Sequence, residues 1–227
     1  MKEFSSTYSN MDEALGGDAM FVRDVMTRNP ASIHPDATLR ELLALMTEKT
    51  FEAIPVRSNG KVTGIVTDWD IVTNTPKSGE SDYLDTVKVK DIMTANVMTV
   101  SENEVIEMAA YHMYFHDLDA LPVVDEAGNL IAIVTQNDVF RTLVSLMGLR
   151  AKGTRLTIEI PDRAGVLAEI TGIVRDFGIS IASLSTNLHP GAPTGLVILR
   201  VKSGDVDGLV KAISAKYKVI HVSKTWE

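Results

Sequence analysis

IVTDWDIV (Ile65–Val72) and IVTQNDVF (Ile133–Phe140) are one phrase written twice. So are VRDVMTRNP (Val22–Pro30) and VKDIMTANV (Val89–Val97). The openings stand 67 residues apart and the later phrases 68, while Ala53-Ile54-Pro55-Val56 keeps the register of Ala120-Leu121-Pro122-Val123. Motifs repeated in order at a near-constant period mark a duplicated supersecondary unit. Each copy carries Thr-x-x-Asp at the same place, Thr67/Asp70 and Thr135/Asp138, so the duplication predicts two equivalent candidate sites.

Working outward, each copy reads helix, short strand, helix, strand, strand, helix. Residues 21–29 predict a short helix ending before Pro30, since the residue before a proline avoids the helical region. Thr38-Leu-Arg-Glu41 has the form of a capping box, followed by Leu39, Leu42, Leu43 and Met46 at helical spacing. Asn59-Gly60 predicts a tight turn between strands Ala53–Val56 and Val62–Val66. In the second copy Ser101-Glu-Asn-Glu104 is expected to open the main helix, and a helix is expected from Gln136 to Met147. After Ala151–Thr154 the pattern changes. Arg155–Ile160 alternates as a strand, Val166–Phe177 is an amphipathic helix, Ile179–Asn187 and Gly195–Val201 are strands, Asp205–Tyr217 is a helix and Val219–Lys224 a last strand. That order, strand-helix-strand-strand-helix-strand, is ferredoxin-like.

The composition of the 227 residues, 45% hydrophobic and 23% charged, is that of a globular protein with room for two domains. A net charge of −8 argues against nucleic acid and anionic membranes as general partners, because phosphate surfaces require clustered Lys and Arg. The absence of cysteine excludes disulfides, thiolate metal sites and cysteine nucleophiles. No apolar run approaches the length of a membrane span and residues 1–20 lack a signal pattern, so a cytoplasmic location is expected.

The repeated unit resembles the cystathionine-β-synthase (CBS) domain, which usually occurs as an intramolecular pair, the Bateman module. The resemblance covers about Met20 to Leu149 and rests on the VMT and IMT openings, the Pro-Val strands, and GIVTDWD and AIVTQND. The C-terminal segment resembles an ACT domain, through DRAGVLAEI (Asp162–Ile170) followed by Ile179-Ser-Ile-Ala-Ser. A CBS pair followed by an ACT domain is similar to the acetoin-utilisation accessory protein family. The expected fold class is therefore α+β: two CBS repeats packed as a pair, plus a ferredoxin-like βαββαβ ACT domain. The expected boundaries are a flexible arm 1–20, CBS domain 1 at 21–77, a connector 78–87, CBS domain 2 at 88–149, a linker 150–154 and the ACT domain at 155–227.

Thr67 and Thr135 stand where a strand hands over to a helix, a place suited to an anion such as phosphate. Asp70 and Asp138, one turn on, can accept from the two hydroxyls of a ribose. The same residues also suit plain helix capping. The resemblance implies that Thr67, Asp70, Thr135 and Asp138 contact an adenosine ligand, AMP or another adenosine derivative, with Ser32-Ile33 and Thr99-Val100 against the base. Many nucleotide-binding copies place a basic residue before the Asp; Trp69 and Asn137 stand there instead, which disfavours a triphosphate. Arg57, Lys61, Lys90 and Arg141 are the candidate sources of positive charge, and Trp69 either stacks on a base or packs, the commoner fate of an indole. Gly64 in copy one has Ala132 as its counterpart.

In the ACT segment the resemblance implies an amino-acid ligand held by Asp162, Arg163, Ala164, Gly165, Val166 and Leu167, with Asn187 as a partner for its amino group. Ala164 replaces the usual proline. His112 and His116 have a spacing that can chelate zinc, but no third ligand is apparent, so no metal is expected. No Gly-x-Ser-x-Gly, Walker loop or HExxH occurs. The chain thus reads as a non-catalytic regulatory homodimer without a cofactor, sensing an adenosine nucleotide and an amino acid and acting on an unidentified protein. The alternatives are a structural adaptor with empty pockets, or an enzyme without a recognisable motif.

Overall fold

The computed structural model describes residues 21–49, 51–74, 82–149, 151–189 and 191–225. The expected N-terminal arm 1–20 and residues 75–81, the end of the expected CBS domain 1 and the start of the expected connector, lie outside them. Two compact units divide the chain, Met1–Thr142 and Leu143–Glu227, with the division falling inside a helix.

In the first unit, copy one comprises α1 (Val22–Val25), β1 (Thr27–Arg28), α2 (Leu39–Lys49), β2 (Ala53–Ser58), β3 (Lys61–Thr67) and α3 (Asp68–Asn74). A short α4 (Tyr83–Thr86) follows. Copy two follows as α5 (Val89–Ile92), β4 (Thr94–Ala95), β5 (Val100–Ser101), α6 (Ile106–His116), β6 (Ala120–Val124), β7 (Leu130–Thr135) and α7 (Gln136–Leu146), with β5 standing where copy one has only the bridge of Ile33 to Val56. Local chemistry explains the starts and turns. The Asp24 carboxylate accepts from the Phe21 N–H at 2.9 Å, and Asp91 does the same for Lys88 at 2.9 Å, so the aspartate of each opening caps its own turn. Glu41 accepts from the Thr38 N–H at 2.7 Å while the Glu41 N–H donates to Thr38 Oγ1 at 3.2 Å, the predicted box. Asn59 and Gly60 both take positive φ, 50° and 83°, as a two-residue hairpin turn requires.

Two expectations fail. The opening helix stops at Val25, because Thr27 and Arg28 are taken up as a strand against Ala132 and Ile133. The main helix of copy two begins at Ile106 rather than within Ser101–Glu104, whose backbone forms a turn closed by the Glu104 N–H on the Ser101 carbonyl.

That strand pairing crosses between the copies. β1 of copy one lies on the sheet of copy two, in the order β1-β7-β6-β5, while β4 of copy two lies on the sheet of copy one, β2-β3-β4. The Val22 and Arg23 N–H groups donate to the Glu104 and Glu102 carbonyls, and the Val89 N–H donates to the Ala37 carbonyl. Each opening is thus hydrogen-bonded to the other copy. Beneath β2 and β3, Leu39, Leu42, Ile54, Val56, Val66 and Val89 form a buried cluster.

The second unit contains β8 (Gly153–Pro161), α8 (Val166–Asp176), β9 (Ile181–Asn187), β10 (Thr194–Val201), α9 (Asp207–Ser214) and β11 (Lys218–Thr225). Its sheet runs β11-β8-β10-β9 with every pair antiparallel, the ferredoxin-like arrangement. Leu156, Ile158, Ile160, Val197 and Leu199 face Ile170, Val174, Leu209 and Ile213 in one core. No helix among the described residues is long and apolar enough to cross a membrane.

Candidate functional site

Each Thr-x-x-Asp pair closes a reciprocal cap at the start of its helix. Asp70 Oδ2 accepts from the Thr67 N–H and the Thr67 hydroxyl, both at 2.8 Å, and the Asp70 N–H donates to Thr67 Oγ1 at 3.2 Å. In copy two the corresponding distances are 3.0, 2.7 and 3.3 Å. One carboxylate oxygen is therefore committed to the cap in both copies, which leaves Oδ1 as the oxygen that can meet a ligand. At Asp138 that oxygen lies 3.8 Å from the Arg141 guanidinium.

Two cavities adjoin these caps. One, of about 530 Å³, is walled by Thr67, Trp69 and Asp70 of copy one and by Asn96–Met98 and His116–Ala120 of copy two. The other, of about 650 Å³, is walled by Thr135, Gln136 and Asn137 of copy two and by Asn29–Ala31 and Phe51–Ala53 of copy one, with Asp119 and Ala120. The exchange of openings produces this geometry: the cap of one copy faces the opening of the other. Asp119 and Ala120 line both spaces. Each volume lies in the range of small-molecule sites.

Thr67, Asp70 and Thr135 thus reach cavity walls, and Asp138 stands behind Thr135 as its hydrogen-bond partner. Ser32, Ile33, Thr99 and Val100 are not among the lining residues of either space. Ile33 is buried in a bridge to Val56 and Val100 in a pair with Val123; the walls come from the residues just before them. Lys90 is bonded to Asp36 at 2.7 Å and Lys61 to the Ala127 carbonyl at 2.8 Å, and neither they nor Arg57 line the spaces. The sequence reading passed over Asn29–Ala31 with Asn96–Met98, and Glu52 with Asp119. A signal was present, since these residues hold the same register in both copies.

In the second unit, Gly165 caps α8 at φ 86° and the Asp162 N–H donates to the Pro193 carbonyl, fixing the loop. Arg163 is 2.7 Å from Glu169, whose other oxygen accepts from the buried Tyr217 hydroxyl at 2.7 Å. Arg163 is therefore already paired, and a ligand carboxylate would compete with Glu169 for it. Leu167 is exposed, and Asn187 sits on β9 with β10 between it and the loop.

The Tyr217 hydrogen bond, then the Arg163 guanidinium, hold the Glu169 carboxyl below its ordinary range. A carboxyl depressed in the folded state contributes stability above its unfolded value of about 4.3, and that contribution is lost as pH falls through the folded value. Glu169→Gln is expected to be less stable than wild type near neutrality and to converge on it as pH falls below the unfolded value and through the lower folded one. Denaturant unfolding across this pH range checks this; a pH-independent gap would rule it out.

The residues match the CBS domain family over 22–76 and 89–145, and the ACT domain family over 154–220. The chain belongs to the CBS-domain proteins, with a tandem CBS pair followed by an ACT domain. It is 32% identical over 136 residues to the CBS domain-containing protein YhcV of Bacillus subtilis, covering 60% of this chain and 92% of that protein. It is also 38% identical over 117 residues to a homoserine O-acetyltransferase of Methanocorpusculum labreanum, covering 51% of this chain but only 23% of that enzyme. Among solved structures, a Vibrio cholerae protein assigned to acetoin utilization (AcuB) aligns with a TM-score of 0.50 at 25% identity, over 59% of this chain and 96% of that one. CBSX2 in complex with AMP aligns with a TM-score of 0.49 at 29% identity, over 55% of this chain and 96% of that one.

Proposed function

We propose that the chain is a regulatory sensor that binds adenosine derivatives between its two CBS copies and acts through binding, not turnover. The observation that carries this reading is the pair of cavities of about 530 and 650 Å³, each joining the Thr-x-x-Asp cap of one copy to the opening of the other. A nucleoside fits spaces of this size, with Oδ1 of the aspartate accepting from ribose hydroxyls. Because each space has walls from both copies, an occupant bridges them, and its binding energy favours one relative placement over others. The ACT loop Asp162–Leu167, with Asn187, is the place for an amino acid, and any coupling between the two ligands has to be reciprocal. A cytoplasmic setting and a role in acetoin utilisation are part of the same proposal, supported by the charge, the domain order and the likeness to the Vibrio cholerae protein.

The test is thermal unfolding with AMP, ADP, ATP, S-adenosylmethionine and single amino acids, on wild type, Asp70→Asn and Asp138→Asn. A ligand at about a hundred times its dissociation constant adds roughly 2.7 kcal/mol, a shift of several degrees. One shift abolished by one substitution identifies the working cavity. No shift with folded protein would reject sensing, and nucleotide consumed over hours would reject a binding-only role.

A second reading, an adaptor that pairs with another copy of itself, draws on a specific surface. Tyr111, Tyr114 and Phe115 on α6 are exposed, and the Tyr111 and Phe115 rings pack with centroids 4.3 Å apart and planes tilted by 39°. Their counterparts in copy one are Ala44, Thr47 and Glu48, so the aromatic face is not a requirement of the repeat itself. Tyr114→Glu with Phe115→Glu is expected to convert a homodimer to monomer in light scattering without unfolding it. An unchanged mass would remove this face as the interface.

A further inference from the structure

We infer that the cavity capped by copy one selects adenosine derivatives carrying a positive charge, such as a sulfonium or an amine, over phosphorylated ones. The inference rests on the adenosine reading above and assigns a ligand class to one of its two spaces.

Three carboxylates, Asp70, Asp117 and Asp119, line this cavity together with Trp69 and His116, and no lysine or arginine does so among the described residues. The bond network of Asp70 leaves its Oδ1 outside the cap. A phosphate entering here meets like charge in a partly desolvated space, while a cation meets opposite charge. The indole adds to this. Trp69 is 70% exposed, so it is not a packing residue, and it stands on the cavity wall. An indole face attracts a cation through its quadrupole, more strongly than any other side-chain ring. The other cavity differs at these points: Asn137 replaces Trp69, and its walls carry two carboxylates, Glu52 and Asp119, beside the amides of Gln136 and Asn29, while Arg141 lies behind them, 3.8 Å from Asp138. The two spaces therefore differ by one carboxylate and by the indole, although the caps that flank them are alike.

Titration calorimetry on the full chain at about pH 8, above the ordinary histidine range, compares three probes. These are S-adenosylmethionine, S-adenosylhomocysteine (the same skeleton without the sulfonium charge) and AMP. The sulfonium compound is expected to bind about tenfold more tightly than the thioether, and Trp69→Ala to weaken the sulfonium compound about three- to tenfold while changing the thioether less. Asp117→Asn is expected to act in the same direction. The chain has two tryptophans, so Trp226→Phe leaves Trp69 as the sole tryptophan, excited selectively at the red edge of its absorption. Its emission should change with S-adenosylmethionine and not with AMP, which places the ligand independently of its affinity. Equal affinity for sulfonium and thioether, or AMP binding that is lost in Asp70→Asn but not in Asp138→Asn, overturns the charge preference and leaves the adenosine reading standing. No binding of any of the three overturns both.

Discussion

Gly153→Ala is expected to destabilise the C-terminal unit by about 3 kcal/mol or more, a large part of the 5–15 kcal/mol that holds a typical domain. Gly153 opens β8 at φ 152°, and a Cβ built there falls 1.9 Å from the Val201 carbonyl oxygen. The obstacle is backbone, and it belongs to the neighbouring strand, in which Val201 pairs with Thr154. No rotamer change relieves such a clash. Either β8 withdraws from β10 at its first residues or the strand start is lost, and both expose Leu156 and Val201, fully buried residues of that core. Calorimetry on the whole chain is the measurement. A variant in which the C-terminal transition moves down and the other stays fulfils the expectation; two unchanged transitions would show that the strand start carries no such constraint.

Gly64→Ala should cost about 1–3 kcal/mol and close the cavity capped by copy one while sparing the other. Gly64 lies on β3 opposite Ala95, and an added Cβ would stand 2.7 Å from the Thr94 carbonyl and 2.8 Å from Met93 Sδ. Methionine sulfur yields, but the carbonyl belongs to β4, so the strand has to shift. Thr94 and Asn96–Met98 form one wall of the cavity, and they move with it. Copy two carries Ala132 at the matching place, fully buried and paired with Arg28 of β1, and so accommodates the methyl group. Ligand-induced thermal shifts in Gly64→Ala, combined with Asp70→Asn or Asp138→Asn, separate the two spaces. Retention of the shift that Asp70→Asn removes would mean β4 does not shape that wall.

Much of the site was legible because it is local. Thr67 and Asp70, like Thr135 and Asp138, are three residues apart at a strand-to-helix junction, and that spacing alone dictates the reciprocal cap. The same holds for Thr38 with Glu41 and for the Asn59-Gly60 turn. The C-terminal order βαββαβ was readable from alternation and amphipathic runs, because a strand and a helix bury different periods of the chain. The least reliable readings were at the openings. Residues 21–29 end at a proline, as a helix there would, yet only one turn is helical, since Thr27 and Arg28 are taken up by pairing with β7.

By itself, then, the sequence determined the duplication, the two caps, the family and the order of elements in the C-terminal unit. Only the tertiary structure decided that β1 and β4 exchange sheets, that each cap faces the other copy's opening, and that Asp119 serves both cavities. It also decided that Trp69 stands exposed on a cavity wall and that Arg163 is engaged by Glu169. The physical reason is that backbone conformation follows from neighbours in sequence, whereas the choice between two nearly identical sheet edges does not. Both openings carry the same residue pattern and either edge would satisfy their hydrogen bonds, so the pairing is settled by where the connecting chain can reach and which buried contacts it completes.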